Sequence, residues 1–176
     1  MAGSLLELIT ATAEQIGFPP DVAIEQMRRE SANFRQDVIY GPFVGGDGER
    51  GLAQFIPATW ARFGSGSPYN PADSMQAWSR YTVYLSNLFG NDLVKILQAY
   101  NGGEGNVQRG TVSVRAQNYA KEILNRAGQS TNQISDQPIP ENSLNSLSIF
   151  GLPPIVSILA IAGIAGVLIY SLSQDD

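Results

Sequence analysis

The sequence contains no cysteine and no histidine among its 176 residues. The first absence excludes disulfides and thiolate metal sites, and the second removes the commonest general base and the commonest metal ligand. No metal or cofactor is therefore expected, and any chemistry must rest on carboxylates, hydroxyls and amides. Positive charge is missing from the C-terminal end: all 11 Lys and Arg lie before Ala127, whereas Asp136, Glu141, Asp175 and Asp176 lie beyond it. The formal charge of -5 thus belongs mostly to that end, and residues 1–128 hold nearly equal numbers of acidic and basic groups. So balanced a domain has no electrostatic footprint for nucleic acid, and none is expected as a partner. Nor does any Lys or Arg precede the first apolar residues, Leu5, Leu6, Leu8 and Ile9, which are interrupted by Glu7. That pattern is an amphipathic first helix rather than a signal peptide.

Charge of either sign is absent from Ile149 to Ser173, and Leu152 to Leu172 is dominated by Ile, Leu, Val, Ala and Gly. A helix over the latter stretch rises about 30 Å, matching the hydrocarbon core of a bilayer. Residues 149–173 are therefore expected to form one C-terminal transmembrane helix, with a lipid membrane as partner and residues 174–176 as a short polar tail. Pro153 and Pro154 suit its first turn, where missing N–H groups cost little. Gly163 and Gly166 are three apart, so they do not form a GxxxG association motif. Residues 129–148 are rich in Gln, Asn, Ser and Pro, a composition unable to bury enough surface to fold, and are expected to be a flexible linker spanning about 25 Å.

The first 128 residues read as one domain of short helices separated by glycines. Helices are expected from Ser4 to Gly17, after Pro20, from Pro57 to Gly64, from Pro71 to Gly90 with Trp78, Tyr81 and Leu85 at helical spacing, from Asp92 through Tyr100, and from near Ser113 through Leu124. Five glycines and a proline between Ile39 and Gly51 predict a loop or a small hairpin.

One carboxylate stands out by position. Ala23, Met27 and Glu30 share a helical stripe, which places Glu30 beside apolar neighbours near the end of its helix. Burial and the negative end of the helix dipole both disfavour its charged form. A carboxylic acid held protonated near neutrality is what cleavage of a glycosidic bond requires, since the leaving oxygen must receive a proton. The same spacing also allows Glu30 to pair with Arg28 or Arg29 on a solvated face.

Glu30-Ser31 is followed by Gly51-Leu52-Ala53-Gln54-Phe55-Ile56-Pro57-Ala58-Thr59-Trp60, then by Ala99-Tyr100-Asn101-Gly102-Gly103, and the domain closes with Tyr119-Ala120-Lys121-Glu122-Ile123-Leu124. In this order the motifs resemble the lytic transglycosylases of the soluble type, related in fold to goose-type lysozyme, over roughly residues 1–128. The resemblance implies a mainly α, lysozyme-like domain that cuts the MurNAc–GlcNAc β-1,4 bond of peptidoglycan glycan strands. It implies Glu30 as the catalytic acid and then base, Ser31 as the hydroxyl that follows it, and Gln54 as an amide bonding the sugar. Tyr100 becomes the phenol near the carboxyl, and Asn101 an amide of the cleft wall. It further implies that the substrate's own N-acetyl group stabilises the oxocarbenium-like centre before the muramic C6 hydroxyl attacks C1, giving a 1,6-anhydro end. Read without the resemblance, Gln54 is a surface amide at a helix start and Tyr100 a core aromatic.

The sequence departs from that pattern in four places. The spacing from Glu30 to Phe34 is one residue longer, Tyr40 stands where the family carries a serine, Ala53 replaces a common methionine, and the segment before Gly51 is extended and carries Asp47 and Glu49. If either of these carboxylates reaches the cleft, it can activate water and make a hydrolase of the goose-lysozyme kind; otherwise both are exposed loop charges. A non-catalytic wall-binding or structural protein on the same fold is the third reading. An apolar C-terminal helix without a signal sequence leaves such a domain on the wrong side of a membrane from the wall. That conflict suggests a bacteriophage virion protein, carried in an internal membrane or delivery apparatus beside other virion proteins and acting in the host periplasm. A bacterial envelope protein is the alternative.

Overall fold

The computed structural model describes residues 4–129. Among them lie eight helices, α1 (Leu5–Gln15), α2 (Pro20–Glu30), α3 (Gln36–Ile39), α4 (Pro57–Phe63), α5 (Pro71–Phe89), α6 (Leu93–Gly102), α7 (Glu104–Gln108) and α8 (Val114–Arg126). The expected linker, transmembrane helix and polar tail lie outside the described residues, apart from Gln129. No helix among the described residues is long and apolar enough to cross a membrane.

Helix α5 is the axis of the domain. Asn70 caps it by accepting from the N–H groups of Ala72 and Asp73, Pro71 opens it, and Gly90 ends it in the left-handed region at φ 63°. Its buried residues run almost round the helix, from Ser74 and Met75 through Trp78 and Tyr81 to Leu85 and Ser86, as expected of a helix enclosed by others. Helices α1, α4 and α6 pack on it, while α8 packs across α2 and α6. Small hydroxyls interrupt this apolar surface for a reason: the Ser74 hydroxyl accepts the Ala53 N–H at 3.1 Å and ties an otherwise irregular strand of chain to the axis.

Helix α1 is held at its start by a capping box, Ser4 accepting from the Glu7 N–H while the Glu7 carboxylate accepts from the Ser4 N–H. Helix α8 shows the sharpest amphipathic pattern, with Ala116, Tyr119, Ala120, Ile123 and Leu124 buried in the i, i+3, i+4, i+7 sequence and Ser113 as N-cap. Between Ile39 and Gly51 the chain forms no hairpin; an isolated antiparallel bridge between Arg50 and Phe55 replaces it. The glycines there favour tight reversals over a paired ladder, so the loop alternative holds. Two short helices that the sequence pattern did not suggest, α3 and α7, are too brief to carry a helical period.

Candidate active site

Helix α2 buries Val22, Ala23, Gln26 and Met27, and this stripe carries Glu30 inward in its last turn. Arg28 and Arg29 do not pair with it. Arg28 bonds Glu25 at 3.1 Å and Arg29 bonds Glu122 on α8 at 3.1 Å. Glu30 instead accepts a short hydrogen bond at Oε1 from the Tyr119 hydroxyl of α8. Its residue surface is half-buried, with the open part on a groove, yet the surrounding protein is dense enough that desolvation lifts the carboxyl from 4.5 to about 7. The Tyr119 hydrogen bond, then the charge of Arg29 and that of Arg115, oppose the rise, while Glu49 adds to it. Desolvation wins, and the acid can hold or release its proton near neutrality.

The groove has a volume of about 380 Å³. Glu30, Gln54, Tyr100 and Asn101 all line it, together with Asp47, Glu49 and Arg115. Gln54 reaches it from a strained backbone at φ 49°, its amide N–H bonded to the Gly51 carbonyl at 2.8 Å. Gly51 must be glycine there, since its φ is +72° and a Cβ would stand 1.7 Å from the Pro68 carbonyl oxygen. Tyr100 donates to the Ala53 carbonyl at 2.6 Å, so the residue before Gln54 is held at both ends, its N–H by Ser74 and its carbonyl oxygen by Tyr100. Ala53 itself is fully buried, and its side chain serves packing. Asn101 lines the groove, and its buried Oδ1 has no hydrogen-bond partner among the described residues.

Three sequence expectations need adjustment. The phenol bonded to the carboxyl is Tyr119, from the motif that closes the domain; Tyr100 lines the groove without that bond, its own hydroxyl pushed well above the usual phenol range by burial and then by the charge of Glu30. Ser31 does not line the groove. It is fully buried, donating to the Met27 carbonyl at 2.7 Å and accepting the Phe34 N–H at 3.0 Å. Those bonds absorb the extra residue of the Glu30–Phe34 segment, whose Ala32, Asn33 and Phe34 sit consecutively in the left-handed region. Asp47, exposed, and Glu49, half-buried, both border the groove, Glu49 accepting the Asp47 N–H at 2.9 Å. Tyr40 is 53 % exposed and outside the lining. Among the described residues no group of acidic side chains could hold a metal ion.

The Transglycosylase SLT domain model matches residues 7–123. The chain belongs to the transglycosylase SLT domain family. Among solved structures, this SLT domain is similar to the 70 kDa soluble lytic transglycosylase of Escherichia coli, at 23 % identity and a TM-score of 0.55 over 69 % of this chain and 23 % of that one. It is also similar to an inactive mutant of the lytic transglycosylase Slt from Pseudomonas aeruginosa, at 20 % identity and a TM-score of 0.58 over 76 % of this chain and 25 % of that one. A complex of the 70 kDa soluble lytic transglycosylase with bulgecin A matches at 21 % identity and a TM-score of 0.59, with the same coverages. The chain therefore spans about a quarter of the length of these proteins, and the SLT fold is what they share. Within the SLT domain, Glu30 and Tyr119 come from the segments at either end of the match, so their contact is a product of α2 packing on α8.

Proposed function

We propose that the domain is a peptidoglycan lytic transglycosylase that cleaves the MurNAc–GlcNAc β-1,4 bond and leaves a 1,6-anhydro end. The observation that carries the reading is the Glu30 carboxyl, poised at about 7 in a groove also lined by Gln54, Tyr100 and Asn101. Such a group donates its proton to the glycosidic oxygen, then as carboxylate takes the proton of the muramic C6 hydroxyl as that oxygen closes on C1. One acid suffices when the substrate's acetamido group stabilises the intervening centre. Gln54 and Asn101 supply amide groups to orient the sugar.

A second reading is favoured by one observation. Glu49 borders the groove and its charge acts on Glu30, which supports a role in activating water to give a hydrolysed end. Digestion of purified sacculi followed by mass spectrometry separates the two, because anhydro ends lack one water that reducing ends retain. Glu30→Gln abolishes release in either case; undiminished release by that variant would remove Glu30 from the chemistry, and binding of sacculi without release by the parent would leave only a wall-binding role.

The site of action is read from the sequence. The uncharged run from Ile149 to Ser173 supports a membrane anchor, and on the virion reading the enzyme is carried with that anchor to the host wall. Extraction of the full chain from membranes by detergent but not by alkaline carbonate tests the anchor. Recovery from host envelopes and never from purified virions would dismiss the phage role.

A further inference from the structure

The groove is charged unevenly. Among the described residues that line it, Glu30, Asp47, Glu49 and Glu104 carry carboxyls, and Arg115 alone carries a cation. Glu104 is already answered, by Arg62 at 3.4 Å and the Tyr81 hydroxyl at 3.3 Å. Arg28, Arg29, Arg35, Lys95 and Arg126 likewise pair with carboxylates. Arg115 is exposed and forms no ion pair among the described residues; its side chain donates there from Nη2 to the Asn101 carbonyl, at 3.5 Å. A guanidinium has five N–H donors, so most of its bonding capacity is left for a ligand.

Helix stability does not explain why Arg115 stands where it does. It is the second residue of α8, where the positive end of the helix dipole disfavours a cation and no acid in that turn offsets it. Its neighbours place it at the site instead. Gly102 lets α6 approach α8 so closely that a Cβ on it would stand 2.9 Å from the Ala116 Cβ, which brings Arg115 over the end of α6 that carries Tyr100 and Asn101. One turn further along α8 is Tyr119, whose hydroxyl holds Glu30. Arg115 and Glu30 thus line the same groove, and the positive charge of Arg115 eases ionisation of the acid.

We propose that Arg115 binds a carboxylate of the substrate, carried on the 3-O-lactyl arm of the muramic sugar. The inference rests on the domain cleaving peptidoglycan. The repeating amino sugars have no charge of their own, and anions hang from that arm: the carboxylates of the stem peptide where it is present, or the bare lactyl carboxylate where it has been removed. Arginine suits either, because its planar fork takes a carboxylate through two parallel N–H bonds. Asp47 and Glu49 repel the same group from the loop, which leaves the α8 wall as its place. The groove thereby distinguishes a muramic sugar from N-acetylglucosamine, which lacks the arm.

The test compares the full chain and its Arg115→Gln variant on three preparations of purified sacculi. One is untreated, one has its carboxyls converted to N-methylamides, and one is stripped of stems by an amidase that frees the lactyl carboxylate. KM for release of soluble fragments should rise about fivefold in the variant wherever the contacted carboxylate is present, the size of one well-placed surface charge contact, and should match the parent on the methylamide preparation. A defect on untreated sacculi assigns the contact to the stem, and one confined to the stripped preparation assigns it to the lactyl group. Arg115→Lys keeps the charge without the fork and falls between. A change in the ionisation of Glu30 would act on all three preparations alike and does not imitate this pattern. The proposal is overturned if the variant loses activity by the same factor on all three, or loses none on any. Failure of the parent to release fragments from any preparation would instead remove the peptidoglycan-cleaving reading itself.

Discussion

Glu30→Gln should make the folded domain more stable above neutral pH while destroying its activity. The folded chain holds the Glu30 proton where the unfolded chain, with its ordinary value of 4.5, has already released it. Stability contributed by this group is therefore fully present below pH 4.5, falls as pH rises from 4.5 to about 7, and is flat beyond. The difference between those two values corresponds to about 3 kcal/mol lost above neutrality. Glutamine has nearly the same shape, keeps an oxygen to accept from Tyr119, and has no charge to bury. The stability of the variant minus that of the parent should thus grow by about 3 kcal/mol between about pH 4 and about pH 8. Exposed pairs such as Arg35 and Asp37 titrate alike in both proteins and cancel in the difference. Urea unfolding at matched ionic strength across that range measures it. A gap that stays constant with pH would show that the carboxyl is not held against ionisation by burial, and the chemistry assigned to it would fall with that result.

Tyr119→Phe removes a bond that favours the ionised acid, so the basic limb of the activity profile should move to higher pH with a loss of kcat/KM; a limb that moves down contradicts the assignment. Gly51→Ala forces a Cβ against the Pro68 carbonyl at a positive φ, and should cost more than about 2 kcal/mol in urea unfolding and lower activity by displacing Gln54. Ser31→Ala orphans the Phe34 N–H and should cost about 1–2 kcal/mol while leaving KM for sacculi unchanged; a raised KM at unchanged stability would place Ser31 on the substrate after all.

Much of this protein is local information. Ser4, Asp92 and Ser113 each cap the helix that follows them, and each was legible as a helix start because the side-chain oxygen acts within a few residues of its own backbone. The stripe through Ala23 and Met27 left Glu30 a choice between an inward position and a solvated pairing with Arg28 or Arg29, while ordered motifs marked Gln54, Tyr100 and Asn101 as groove residues. Tertiary structure alone decided what those residues do to one another. Tyr119 lies 89 positions from Glu30 and looks like a core aromatic in sequence, because one i, i+3, i+4 pattern describes packing and catalysis equally well. Ser31 was expected as the hydroxyl that follows the acid in the site, and it is consumed by its own turn. Gln26 carried no sequence signal, since only folding brings the Trp78 indole N–H, 52 positions away, to its buried oxygen.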